Sequence, residues 1–249
     1  TYLILGNKGY VASNIINYLE KEQEDFIKLS VNSDYSNNSL NSLLKKISLS
    51  LDNFDENYCY KIIDLFVEEF KNQYKNSKIN LTIIPTGLCH KLKTPNSEMT
   101  KINFRLPFYY SLIAMKLNSE KIIYLSSAGL YLNENQPISD KSPINPNNHY
   151  KLTKYLTELK IQNYLLKHPE LQTSLFILRP TIIYGKSPRG SFGILEKIVK
   201  YGIPIPINKH KDYKSMLYIG NLIKVIERIY KLELTEKRSI NKLLLCDDE

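Results

Sequence analysis

The chain opens on a short apolar run that meets a glycine turn and an amphipathic helix: Tyr2-Leu-Ile-Leu-Gly6-Asn7-Lys8-Gly9-Tyr10-Val11-Ala12-Ser13-Asn14-Ile15-Ile16. A buried strand thus runs directly into Gly-x-x-Gly-x-x-Ala, and a helix follows at once. Gly6 permits a tight turn, Gly9 lets the backbone approach a ligand, and the small Ala12 lets helix and strand pack closely. The helix start offers amide donors and the positive end of its dipole, so the turn suits a pyrophosphate. Gly6, Lys8, Gly9, Tyr10 and Val11 are the candidate cofactor residues of this turn, and a plain structural turn is the bland alternative.

Short apolar runs and helical patterns continue to alternate, which predicts stacked βαβ units and an α/β fold with a parallel sheet. Strands are expected at Tyr2–Leu5, Phe26–Val31, Leu81–Pro85, Lys121–Ser126 and Ser174–Leu178, with a last one at Lys242–Cys246. Helices are expected near Tyr10–Glu22, Tyr60–Lys75, Lys101–Leu117, His149–Leu166, Phe192–Tyr201 and Asn221–Leu232. The Asn- and Ser-rich stretch Asn32–Asn57 reads as a loop with a short helix around Leu40, Leu43, Leu44 and Ile47. Pro137, Pro143 and Pro146 break the chain into a loop ahead of His149.

An NAD site usually places an acid at the end of the second strand, against the ribose 2′-hydroxyl. This chain has Ser30, Val31 and Asn32 there, and the first acid is Asp34. Lys8, beside the second glycine, is a cation that could meet a 2′-phosphate. The reading is therefore NADP(H) in preference to NAD(H), with Lys8 as a solvated turn residue the bland alternative.

Tyr-x-x-x-Lys occurs twice, at Tyr74–Lys78 and Tyr150–Lys154, among 19 tyrosines. Position separates the two. Tyr74–Lys78 precedes the strand at Leu81, whereas ligands of open α/β sheets bind at the carboxyl ends of strands. Tyr150 starts a helix whose Leu152, Leu156 and Leu159 suggest a stripe packing on the sheet, and the four-residue spacing puts Tyr150 and Lys154 on one face. A free tyrosine, with a pKa of about 10, is a poor proton carrier at neutral pH. A nearby ammonium favours the phenolate and fits the pair for proton transfer. Upstream, Ser127 stands at the end of a strand, where its hydroxyl could bond a substrate oxygen. Ser127, Tyr150 and Lys154 are the catalytic candidates.

The bulk figures exclude some classes. No apolar run approaches the roughly 18 residues of a membrane span, and the N-terminus lacks a signal-peptide pattern. Thr1 is not a start methionine, so at least one residue is expected to precede it. The sparse cysteines Cys59, Cys89 and Cys246 form no metal pattern and suit a reducing, cytoplasmic compartment. The net charge of +9 is spread along the chain without blocks of like charge, so a solvated basic surface is preferred to nucleic-acid binding. The same charge would steer an anionic cofactor or nucleotide substrate.

Together these residues resemble the extended short-chain dehydrogenase/reductase superfamily, specifically the NAD-dependent epimerase/dehydratase family that acts on nucleotide sugars. The resemblance rests on the Gly6–Ala12 turn, the Leu81–His90 strand and loop, Asn103 opening a helix, Ser126–Tyr131 and Tyr150–Lys154. Leu178-Arg-Pro-Thr-Ile-Ile-Tyr-Gly185 and Lys214–Leu222 extend it. It implies a Rossmann-type parallel sheet with helices on both faces and a small C-terminal substrate-binding lobe. The dinucleotide-binding domain would span 1–183, with the chain returning near 219–232, and a partial lobe would use 184–218 and 233–249. Ser127, Tyr150 and Lys154 would be the catalytic triad, with Lys154 also on the nicotinamide ribose and Pro180 and Ile183 against the nicotinamide. Ser30, Thr86 and Gly87 would join the cofactor site, and Ser127, Arg189 and Lys214 the substrate site.

Three departures stand out: Ala12 replaces a third glycine, Lys214 stands where an arginine is common, and the chain stops at Glu249 where relatives usually continue. No acid flanks Ser127, so elimination is not expected. That leaves an NADP(H)-dependent sugar-nucleotide 4-ketoreductase, favoured by the Gly202–Ile207 loop, or an NAD-dependent 4-epimerase. A UDP- or dTDP-linked sugar would be the substrate, without nucleic-acid or membrane partners, and a homodimer through two helices per subunit is implied. A non-catalytic NADP(H)-binding sensor or scaffold is the alternative from another class.

Overall fold

The computed structural model describes residues 1–6, 8–31, 38–53, 55–88, 94–132, 137–185, 191–202 and 214–247. The opening apolar run is β1 (Tyr2–Leu5), and the glycine turn delivers it to α1 (Tyr10–Lys21). β2 (Phe26–Leu29), α2 (Ser39–Asn53), α3 (Glu56–Gln73) and β3 (Leu81–Ile84) follow. A continuous helical rod comes next: α4 (Asn96–Thr100), a π-helical turn (Lys101–Arg105) and α5 (Leu106–Lys116). β4 (Lys121–Leu125) leads to α6 (His149–Lys167) and β5 (Ser174–Pro180). The remainder is β6 (Ile182–Tyr184), α7 (Ser191–Lys200), β7 (Met216–Tyr218), α8 (Ile219–Lys231) and β8 (Ile240–Leu245).

Six strands form one parallel sheet in the order β2-β1-β3-β4-β5-β8, and β6 pairs with β7 in a separate two-stranded sheet. Every residue of β1, β3, β4 and β5 is buried, which is why these strands read as continuous apolar runs rather than as alternation. The strand period of two splits them between two cores. Leu3, Leu5, Ile84, Tyr124 and Ile177 pack with α2, α3, α5 and α6, while Tyr2, Ile4, Ile83, Ile123 and Phe176 pack with α1 and α8. The chain leaves β1 outward to β2 and returns across it to β3. A crevice therefore lies at the carboxyl ends of β1 and β3, where the strand order reverses.

The structure corrects the expectations for α2 and for α6. The Asn32–Asn57 stretch holds a 15-residue helix, α2, with Leu40, Leu44, Ile47 and Leu51 buried at helical spacing. Local polar bonds support the helix: Asn38 Oδ1 accepts from the Leu40 amide, and Asp55 caps the next helix by accepting from the Tyr58 amide at 2.9 Å. α3 accordingly starts at Glu56 rather than at Tyr60.

The second correction concerns α6, where the leucine stripe does not pack on the sheet. Leu152 and Leu156 are exposed, and the buried face is Thr153, Lys154, Thr157, Glu158, Ile161 and Leu165. Apolar periodicity misjudges this helix because its buried polar groups find partners inside, which removes the usual cost of burying them. Truncation should report the true face. Ile161→Ala should cost about 2–5 kcal/mol in urea denaturation, while Leu156→Ser should stay within about 0.5 kcal/mol.

Candidate active site

The glycine turn sits at the crevice. Gly6 has φ +105°, a left-handed value, and a Cβ there would overlap the Thr86 hydroxyl, which donates to Leu5 O at 2.9 Å. Only glycine fits. Gly9 precedes α1, whose first turn has no side-chain cap and no acidic residue, and a Cβ on Gly9 would meet nothing within 4 Å. The first amides of α1 thus border open space, with Lys8 exposed and Tyr10 and Val11 half-buried beside them. Such a cradle fits a dinucleotide pyrophosphate. At the end of β2, Ser30 is buried and its amide donates to Asn41 Oδ1 at 3.0 Å. Asn41 belongs to the start of α2, so that helix supplies a group at the β2 end.

Lys154 is the centre of the arrangement. Its side chain lies between the ends of two strands and is only 4% exposed. Nζ donates to Leu125 O at 2.7 Å and to Thr86 O at 3.4 Å, and stands 5.0 Å above the centre of the Tyr124 ring. Burial holds the Tyr124 phenol well above its ordinary pKa, so that tyrosine stays neutral beneath the ammonium. Gly87 closes over the lysine: a Cβ there would lie 2.8 Å from Nζ.

Tyr150 occupies the first turn of α6, one turn before Lys154. Three contacts fix that turn. Asn148 caps it by accepting from the Lys151 amide at 2.9 Å. The His149 ring nitrogen Nε2 contacts Thr100 Oγ1 at 2.9 Å, and Thr153 Oγ1 donates to Tyr150 O at 2.8 Å. Ser127, just past β4, is extended, and its Oγ accepts from the Gly129 amide at 3.1 Å.

Asn103 lies inside the π-helical turn rather than at a helix start. Its side chain clamps Leu88, accepting from the amide at 2.6 Å and donating to the carbonyl at 3.1 Å. Its own carbonyl accepts from Thr157 Oγ1 at 2.8 Å. A π turn shifts the helical hydrogen bonds and leaves such a carbonyl available. Asn103 thereby holds the chain just beyond Gly87.

The other candidates divide. Pro180 is buried at the end of β5, and Ile183 is half-buried in β6 beside Leu217. Lys214 is exposed two residues ahead of β7. Arg189, Asp34, Cys89 and residues 203–207 lie outside the described residues. The rival pair sits at the opposite end of the sheet, where Lys78 is bound to Glu120 at 2.6 Å. Sequence reasoning missed a buried cluster under the site. Glu158 and Arg179 pair at 2.6 Å, Ser126 Oγ donates to Glu158 at 2.5 Å, and Arg179 donates to the Tyr131 hydroxyl at 2.8 Å. No group of three or more potential metal ligands occurs among the described residues.

The model of the NAD dependent epimerase/dehydratase family matches residues 2–230. The chain belongs to that family. It is 37% identical over 124 residues to the N-acetyl-alpha-D-glucosaminyl-diphospho-ditrans,octacis-undecaprenol 4-epimerase of Escherichia coli O157:H7. That match covers 49% of this chain but only 36% of the relative. Among solved structures, MoeE5 in complex with UDP-glucose and NAD superposes with a TM-score of 0.72 at 16% identity, over 98% of this chain and 75% of that one. A dTDP-4-dehydrorhamnose reductase of Clostridium acetobutylicum gives 0.69 at 18%, over 100% and 74%. At these identities the structural likeness is one of fold. No helix among the described residues is long and apolar enough to cross a membrane.

The closure of Gly87 over Lys154 is testable. Gly87→Ala must push the ammonium off its carbonyls, so NAD(P) affinity in a fluorescence titration should fall about tenfold or more. The melting temperature should drop by no more than about 4 °C, and unchanged affinity would show that the lysine has room to retreat.

Proposed function

We propose that this chain moves a proton and a hydride at one carbon of a sugar held through a diphosphate, and that the net reaction is epimerisation at C4. The observation that carries this reading is the Lys154 ammonium, held between the ends of β3 and β4 one helical turn from Tyr150. An ammonium so placed favours the phenolate and fits Tyr150 to take a proton from a sugar hydroxyl and return it. Ser127 is the partner that bonds the same sugar oxygen as charge develops. Catalysis is then the property of three side chains on two elements.

NAD(P), when bound, supplies the hydride chemistry. Gly6, Lys8, Gly9, Tyr10 and Val11 would hold its pyrophosphate and Ser30 the adenosine ribose. Thr86, Gly87, Lys154, Pro180 and Ile183 would line the nicotinamide end. Residues 184–218 and 233–249, with Lys214 and Arg189, would form the lobe that faces the diphosphate, against a dinucleotide domain of 1–183 with 219–232. The 4-epimerase named for the Escherichia coli relative, which takes a diphospho-linked sugar, supports epimerisation over reduction.

A second reading has its own observation. The described end of β2 offers the buried Ser30 and Asn41, with no carboxylate, while Lys8 is exposed at the glycine turn. That arrangement favours NADP(H), and a net ketoreductase consumes that cofactor. One assay separates the two. The protein should interconvert UDP-linked 4-epimeric sugars with catalytic NAD and no net change in reduced cofactor. Stoichiometric oxidation of NADPH by a UDP-4-keto sugar, without epimer interconversion, would overturn epimerisation in favour of reduction.

Tyr150→Phe should lose about 10²–10⁴-fold in turnover while keeping cofactor affinity. A sensor or scaffold would be indifferent to the change, so unaltered behaviour in every assay would remove the catalytic reading.

A further inference from the structure

Three residues assigned above, Ser127 to the sugar oxygen and Lys154 and Pro180 to the nicotinamide end, come from separate parts of the chain. Ser127 follows β4, Lys154 lies on α6, and Pro180 ends β5. Each has a neighbour in one buried cluster. Ser126 adjoins Ser127, Glu158 lies one helical turn after Lys154, and Arg179 adjoins Pro180. A fourth member, Tyr131, anchors the loop that runs from Ser127 towards Tyr150, and bridges to Ile144 across that loop.

The bonds within the cluster are closely satisfied. Glu158 Oε1 accepts from Ser126 Oγ at 2.5 Å and from Arg179 Nε at 3.0 Å, and Oε2 accepts from Nη2 at 2.6 Å. Arg179 Nη1 donates to the Tyr131 hydroxyl at 2.8 Å, and the guanidinium also lies 5.0 Å from the centre of that ring. Exposures are 0% for Glu158, 4% for Arg179, 5% for Ser126 and 3% for Tyr131. A buried carboxylate and guanidinium need each other, and the planar fork of arginine permits one relative placement of α6 and β5. Stability alone is a weak reason for such a pair, because well-packed apolar residues often serve as well.

We propose that the Glu158–Arg179 pair, with Ser126 and Tyr131 on its two ends, is a positioning device that sets the spacing of Ser127, Lys154 and Pro180. This rests on the assignment of Lys154 and Pro180 to the nicotinamide end. In this role the four buried residues need no contact of their own with cofactor or sugar. They act by fixing the elements that do.

The test compares NAD(P)H with ADP, which fills the adenosine end only, in equilibrium titrations. Ser126→Ala and Tyr131→Phe each delete one hydroxyl and leave the ion pair in place, so both should fold. Arg179→Lys keeps the charge but removes the fork. Lys154→Met serves as a control on the assignment. Positioning requires the dinucleotide to weaken about tenfold in Arg179→Lys, since small displacements at a reacting centre carry large factors. The hydroxyl deletions should give a few-fold loss, with ADP affinity unchanged throughout.

A purely structural role gives a lower melting temperature with both affinities intact, or an equal loss of both, and overturns the proposal. If Arg179→Lys does not fold, the two hydroxyl deletions decide by the same comparison. If Lys154→Met leaves dinucleotide affinity unchanged, the assignment itself has failed and the positioning role falls with it. If Lys154→Met weakens binding while the cluster variants do not, only the positioning role is wrong.

Discussion

Burying charge between a helix and a sheet is the constraint on which this structure turns. α6 lays Lys154 and Glu158 against the strand ends rather than Leu152 and Leu156. A charge in that setting is tolerated only when it is paired or well hydrogen-bonded. Lys154 takes the carbonyls at the ends of β3 and β4, and Glu158 takes Arg179 from β5. For Arg179, burial works against the charge, yet Glu158 and Tyr131 more than offset it and its pKa moves up. The helix is thus held in place by polar bonds of fixed length and direction. Apolar packing would have left it more freedom to slide.

The same constraint explains which parts of the molecule were legible in the sequence. The inner strands are buried on both faces and are written as unbroken apolar runs, so β1, β3, β4 and β5 could be placed to within one or two residues. The turn at Gly6 and Gly9 was legible because few residues tolerate that geometry. α6 could be located, but its buried face could not be identified, because the periodicity rule scores leucine as inside and lysine as outside. Nothing in the spacing of Ser126, Glu158 and Arg179 reveals that they meet. That contact depends on the sheet order, which brings β4 beside β5.

Composition misled in a different way at α2. Asn and Ser favour caps and turns because their side chains compete for backbone bonds. Here those side chains support the helix and its surroundings instead, and Asn41 turns inward to the end of β2. Polar content set against a leucine period of three to four residues was a conflict that the period won.

The π-helical turn at Lys101–Arg105 has a geometric consequence. Relative to a regular helix it accommodates one residue more, and one residue is about 100° of rotation. It works as a phase adjuster between two lengths of a single rod. α4 keeps the heading that presents Thr100 to His149, while α5 keeps the heading that its core requires. Removing one residue from this turn would restore an ordinary helix and swing one half of the rod against the other. The loop clamped at Leu88 and the helix gripped through Thr157 would then lose their common hold on Asn103.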